Sequence, residues 1–256
     1  MNDDYNKNSK YIIPLKKHLY GPVFSWRLGV SLGIDLLSNL KKICNFDCNY
    51  CQIGKTDRFI EPNEREIFVE TAKIIDEIKA LNKDIKMDVL TIAGRGEPTL
   101  ALNLKEVIEE VKKIRKEKIA VITNSLGLYL EDVRDSLLKV DIVMAKFDAF
   151  NDDLLSKINK PIHKKGSIEK NNFEKIYTGL LKFRQEYNGF LELQIMFVDE
   201  NKDKYKEAFE YLEKIRPDRI NINTPLRPSK VMPLQKQKID SIKNDFLKFF
   251  AGKLTK

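Results

Sequence analysis

The chain has 256 residues, 42% of them hydrophobic and 33% charged, which supplies one core and gives no reason to divide the sequence into two domains. Lysine and arginine number 46 against 38 aspartates and glutamates, a net of +8, but the excess is spread along the chain, so it reads as solvated helix faces and is only compatible with a nucleic-acid partner. No run approaches a membrane span, the N-terminus lacks the apolar segment of a signal peptide, and three clustered cysteines exclude a secreted disulfide framework; a cytoplasmic protein with no membrane partner is expected.

Residues 1–10 are polar and expected to be disordered, and 11–31 are expected to form an N-terminal arm in which Ser25, Trp26 and Arg27 cover a site. A first strand is predicted over Leu32–Leu37, followed by the run Cys44-Asn-Phe-Asp-Cys48-Asn-Tyr-Cys51. Val69, Ala72, Ile75 and Ile78 recur at helical spacing, and the apolar strand Val89–Ala93 runs into Gly94-Arg-Gly-Glu-Pro-Thr-Leu100. A helix through Leu104, Val107, Ile108, Val111 and Ile114 precedes a strand over Ile119–Thr123 that ends in Thr123-Asn-Ser125. The next strand, Ile142–Phe147, carries Lys146 and, two residues on, Asp148 on the same face, a costly placement inside a protein unless they pair with each other or with a polar ligand. Phe173, Ile176, Leu180 and Phe183 mark a helix; the strand Leu191–Val198 sets Glu192, Gln194 and Met196 on one face. A helix with Ala208, Phe209, Leu212 and Ile215 leads to the strand Arg219–Ile222, on which Asn221 and Asn223 alternate, then to the turn Thr224-Pro-Leu-Arg-Pro and a last helix with Ile239, Ile242, Phe246 and Phe249. Strands alternating with amphipathic helices argue for an α/β parallel sheet with right-handed crossovers.

The cysteine run has the most specific chemistry. Three thiolates in a C-x₃-C-x₂-C loop are one ligand short of a closed site; a [4Fe–4S] cubane held by them has one iron free for a non-protein ligand. Zinc would need a fourth nitrogen or sulfur ligand, and the only histidines, His18 and His163, lie far away without paired spacing.

The spacing of Cys44, Cys48 and Cys51, with Tyr50 before the third, followed by a strand ending in Gly94-Arg-Gly-Glu97, resembles the signature of the radical S-adenosylmethionine (SAM) superfamily. The segments Tyr20–Asp35, Gly96-Glu-Pro-Thr-Leu100 and Thr224-Pro-Leu-Arg-Pro-Ser229 are further similar to compact iron–sulfur oxidoreductases related to the wybutosine-synthesis enzyme of tRNA. The resemblance implies a single domain with an incomplete (β/α)₆ TIM-type barrel, an N-terminal arm and a C-terminal helix. It also implies a [4Fe–4S] cluster on Cys44, Cys48 and Cys51, with SAM chelated at the open iron and cleaved to a 5′-deoxyadenosyl radical. Gly94, Gly96 and Glu97 are then expected at the SAM amino group, Tyr50 against the adenine, and Gln194 at the SAM carboxylate or ribose. Thr123, Asn124 and Ser125 either bind the ribose or cap the following helix. Lys146 and Asp148 are candidate catalytic residues, the alternative being a salt bridge at the barrel rim. Arg27, Asn223 and Arg227 are candidates for the substrate, Arg227 as a fork for an anion.

Three functions follow as expectations. One is hydrogen abstraction from a nucleoside, tRNA or small anionic molecule, with a reductant such as ferredoxin or flavodoxin; another is radical generation on a partner protein; the third is a non-catalytic electron carrier, for which the glycine motif has no use. The relatives that build the tricyclic base carry additional cysteines for a second cluster, and this chain has none to spare. A bulky residue at Gly96 is expected to weaken SAM binding while sparing the cluster.

Overall fold

The computed structural model describes residues 18–37, 41–82, 84–162 and 171–251. The segment expected to be disordered, residues 11–17 of the arm, and His163 lie outside them. A seven-stranded sheet runs in the order β1 (Leu19–Ser25), β2 (Gly29–Ile34), β5 (Val89–Ile92), β6 (Lys118–Thr123), β7 (Ile142–Lys146), β8 (Phe190–Met196) and β9 (Arg219–Asn223). All neighbours from β2 to β9 are parallel, which makes six parallel strands, and β1 is antiparallel to β2. A two-stranded pair, β3 (Ile43–Cys44) and β4 (Arg58–Phe59), stands apart. Helices α1 (Thr71–Lys79), α2 (Leu104–Ile114), α3 (Glu131–Leu137), α4 (Asp152–Ile158), α5 (Asn172–Glu186) and α6 (Ala208–Ile215) fill the crossovers, and α7 (Lys236–Phe250) follows β9. This is the expected partial barrel of six strand–helix units. Among the described residues no helix is long and apolar enough to cross a membrane.

The helices form where apolar side chains recur every three or four residues. Leu104, Val107, Ile108 and Val111 of α2 are all fully buried, each contributing about 1.5–3 kcal/mol relative to exposure. Two helices lacked such a pattern because they are only two turns long; α4 starts where the Asn151 side chain accepts from Leu154 N at 2.9 Å.

Two expectations are corrected at the N-terminal end. The arm is not a separate cover: from Leu19 it is a sheet strand, paired with β2 from Leu19↔Ile34 to Ser25↔Gly29. The first parallel strand lies at Gly29–Ile34, not Leu32–Leu37. Its inward positions are small because Tyr20 fills the space above them; a Cβ at Gly33 would stand 2.0 Å from the Tyr20 ring. The strand stops as Asp35 turns its carboxylate back to accept from Leu37 N at 3.0 Å. An apolar pattern search favours the bulky Leu32–Leu37 stretch over a strand in which Gly29, Ser31 and Gly33 alternate with the apolar residues.

Candidate active site

The three cysteines lie in the loop that follows β2, at the C-terminal ends of the parallel strands, where barrels of this kind assemble their sites. Two partners clamp the loop. The segment after α4 takes Asp47 N on Asn159 O (3.1 Å) and Asn49 N on Ile158 O (2.8 Å), and returns Ile162 N to Asn45 O (3.1 Å). From the other side, buried Lys42 donates to Gly54 O at 2.9 Å, and Thr56 bonds Phe46 O through its hydroxyl at 2.6 Å and Asp47 Oδ1 through its N–H at 2.8 Å.

The thiols feel one another. Burial pushes the Cys44 thiol up to about 12, with the charges of Cys48 and Glu97 adding to it; burial raises Cys48 to about 11, with Asp148 and Cys51 adding. Three thiolates gathered here repel unless cationic charge sits among them. Amide N–H groups are turned toward two of the sulfurs: Phe46 N (3.5 Å) and Asn124 Nδ2 (3.8 Å) toward Cys44 Sγ, and Asn159 Nδ2 (3.5 Å) toward Cys48 Sγ. Among the described residues no three His, Cys, Asp or Glu side chains are grouped to hold one metal ion. Three thiolates in one loop suit a cubane, which takes each on a separate iron. The donor set therefore fits a [4Fe–4S] cluster with a fourth iron left for another ligand.

The glycine segment after β5 is fastened to this loop. Ile43 N donates to Arg95 O at 3.0 Å, and Glu97 N donates to Ile43 O at 3.1 Å, so the residue before Cys44 is held at both its peptide groups. Gly96, at φ +157°, leaves no room for a side chain: a Cβ would stand 1.6 Å from Ile43 O. Gly94 lies over Asp35, whose carboxyl carbon a Cβ would meet at 2.1 Å, and Asp35 Oδ2 accepts from Arg95 N at 3.1 Å. Glu97 does not face outward as a spare charge. It is buried and its oxygens accept from Thr99 Oγ1 (2.7 Å), Thr123 Oγ1 (2.6 Å) and Asn124 N (2.6 Å), bonds that oppose the rise in pKa which burial imposes.

The polar residues ending β6 are drawn into the same network. Thr123 and Ser125 are buried, Thr123 on Glu97 and Ser125 through Oγ to Lys146 O at 2.7 Å. Asn124, half-buried, donates to Asn45 Oδ1 at 2.5 Å and accepts from Leu126 N at 3.1 Å, which starts the short turn behind it. Of the three, Asn124 alone keeps partial exposure for a ligand.

Lys146 and Asp148 stand together as expected, 3.5 Å apart, with Lys146 Nζ also 3.3 Å from Gln194 Oε1 and 4.8 Å from the Tyr50 ring centre. The pair is not a rim salt bridge, because Asp148 is 3% exposed. Both its oxygens are occupied, one by Met196 N at 2.7 Å and the other by the Tyr50 hydroxyl and Asn159 Nδ2, the latter at 3.0 Å. Burial, then the charge of Asp148, holds the Tyr50 phenol well above its usual pKa, so Tyr50 is the donor in that bond. Asp148 thus serves as an anchor, and Lys146 lines the small pocket beside it together with Asn124 and Asn159.

Toward the opposite end of the barrel, buried Glu192 accepts from Asn221 Nδ2 (3.0 Å) and Arg219 Nη1 (3.3 Å). Arg27, on the β1–β2 turn, lies within the field of Glu192 and Arg227; burial lowers its pKa first, Glu192 raises it and Arg227 lowers it, while its Nε is buried without a partner. Arg227, after β9, donates to Gln52 Oε1, beside Cys51, at 2.9 Å. Arg27 and Arg227 belong to segments next to the edge strands β1 and β9, and Asn223 is half-buried at the end of β9. Asp35, Lys42, Asn45 and Asn159 were not found from sequence. Lys42 lies two residues from Cys44, but nothing near Asn159 in the chain marks it.

A model of the radical SAM superfamily matches residues 38–223. A UPF0026 protein of Synechocystis sp. is 38% identical over 220 residues, covering 86% of this chain and 78% of the relative. Among solved structures, TYW1 with a lysine-pyruvate adduct bound superposes with a TM-score of 0.60 at 17% identity, over 87% of this chain and 75% of that one. The anSMEcpe enzyme with bound AdoMet gives 0.58 at 16% identity, over 87% and 60%. At these identities the two structures speak for the fold, the incomplete barrel.

Proposed function

The chain belongs to the radical SAM superfamily and, within it, to the UPF0026 proteins, and from that membership we propose an enzyme that abstracts hydrogen from a nucleoside or tRNA, or from a small anionic substrate. The observation that carries the reading is the clamped three-cysteine loop fastened through Ile43 to the glycine segment. When bound to Cys44, Cys48 and Cys51, the cluster supplies the electron that splits SAM into methionine and a 5′-deoxyadenosyl radical. The residues of the chain do the rest: the backbone of Gly94–Glu97 borders the amino-acid end of SAM, Asn124 and Gln194 offer hydrogen bonds, and Lys146 presents a cation held in place by Asp148. A low-potential reductant such as ferredoxin or flavodoxin delivers the electron.

An anionic substrate is favoured by two arginines: Arg27, whose Nε is buried without a partner, and Arg227, which lies beside the cysteine loop on Gln52. An anion clamped by Arg27 gives that buried N–H an acceptor. Phosphorylated nucleosides are expected to bind and their uncharged counterparts much less. Arg27→Ala should weaken that binding about tenfold or more, as a hydrogen bond to a charged group is worth about 1.5–3 kcal/mol. Calorimetric titration with a nucleoside and its monophosphate checks this; equal affinity for the two, unaltered by the substitution, rules the clamp out.

The reading as a whole is tested by anaerobic reconstitution, reduction and electron paramagnetic resonance with and without SAM, alongside an assay for 5′-deoxyadenosine. A SAM-dependent change in the spectrum with product formed is expected. An unaltered spectrum with no product would move the assignment to an electron carrier.

A further inference from the structure

Asn159, at the C-terminal end of α4, is 3% exposed and its amide nitrogen meets three acceptors: Asp148 Oδ2 at 3.0 Å, the Tyr50 hydroxyl at 3.2 Å and Cys48 Sγ at 3.5 Å. Chemistry fixes which way the amide points, since the reverse orientation would set its oxygen against a carboxylate and a sulfur. In this orientation Oδ1 is buried without a partner, an unfavourable arrangement for an asparagine placed only for packing. The backbone of Asn159 holds the loop as well, through its carbonyl to Asp47 N. One amide nitrogen thus ties Cys48 Sγ and the Asp148 carboxylate together.

We propose that Asn159 is a positioning residue that sets the reduction potential of the cluster on Cys44, Cys48 and Cys51, an inference that rests on the cluster reading given above. Reduction adds one electron to the cluster, taken from an external donor, and leaves the thiolate ligands more negative. An N–H turned to Cys48 Sγ stabilises that state, and the same amide holds the Asp148 carboxylate by its Oδ2, blunting a charge that opposes reduction. Replacing Asn159 removes both effects, and both losses act in one direction, toward a lower potential. Asn124 approaches Cys44 at a longer 3.8 Å, and no hydrogen bond to Cys51 Sγ is seen among the described residues, so Asn159 is the side chain best placed to act.

The test is a dithionite titration of the reconstituted holoprotein without SAM, followed by electron paramagnetic resonance, with iron content measured on each sample. Asn159→Leu keeps the branching, is larger and removes the donor; Asn159→Asp keeps shape and polarity and replaces the donor by an acceptor. Both are expected to load iron as the parent does and to be about tenfold less reduced at a fixed potential, about 59 mV for a one-electron couple. Asn159→Gln, which retains the amide, should recover part of the shift. Full iron with an unchanged or raised midpoint in both variants would overturn the proposal. Loss of the cluster in both would overturn it too, by making Asn159 a builder of the loop only. Failure of the parent protein to take up four iron atoms would instead strike the cluster reading itself.

Discussion

Cys48→Ala protein is expected to leave anaerobic reconstitution without the brown colour of a cluster and to form no 5′-deoxyadenosine. The middle cysteine is the one the fold invests in most: its sulfur faces Asn159, its neighbours Asp47 and Asn49 are tied to the end of α4, and Asp148 and Tyr50 stand beside it. With two thiolates left, two irons of a cubane lack protein ligands, and no other cysteine exists to replace the loss. The folded state should hardly change, because Cys48 is only half-buried and alanine is the smaller residue. Iron analysis, the visible spectrum and a thermal melt separate the two effects. SAM cleavage retained by the alanine variant would sink the radical mechanism.

Gly96→Ala is expected to lose the cluster together with SAM binding, a harsher outcome than its place in a ligand-facing motif implies. The new Cβ would stand 1.6 Å from Ile43 O, a backbone atom that cannot swing aside. Relief requires separating the glycine segment from Ile43, which breaks the bonds between Ile43 N and Arg95 O and between Glu97 N and Ile43 O and displaces Cys44, the next residue. Strain of about 1–3 kcal/mol and two hydrogen bonds of about 0.5–1.5 kcal/mol each place the destabilisation at about 3 kcal/mol. Gly94→Ala should cost less, since its clash is with the Asp35 side chain, which can turn at the expense of its bonds to Leu37 N and Arg95 N. Thermal melts and iron content of both variants check the order. Normal iron with weakened SAM binding in Gly96→Ala would restore the earlier expectation that these glycines serve only the ligand.

The barrel was legible because its outer helices bury apolar stripes, and a stripe is a local pattern. What escaped was what the pattern does not carry: β1, whose Val23 and Phe24 are exposed, and the two-turn helices α3 and α4. The same distinction runs through the site. Lys146 and Asp148 were recognisable as a buried pair from two positions on one strand, but that Asp148 would be consumed by Tyr50, Asn159 and Met196 N was not.

By itself, the sequence determined the superfamily, the cluster ligands and the alternation of strand and helix, because a metal loop, a glycine turn and an amphipathic period are each complete within a few residues. Only the tertiary structure decided which polar groups stand free and which are spent. Glu97, Thr123 and Ser125 became internal supports, Arg227 reached Gln52 beside Cys51, and Asn159 reached Cys48 from 111 residues away. Hydrogen bonds need approach to about 3 Å and the right direction. Between residues so distant in the chain, that is set by strand order and loop docking, which no local pattern encodes.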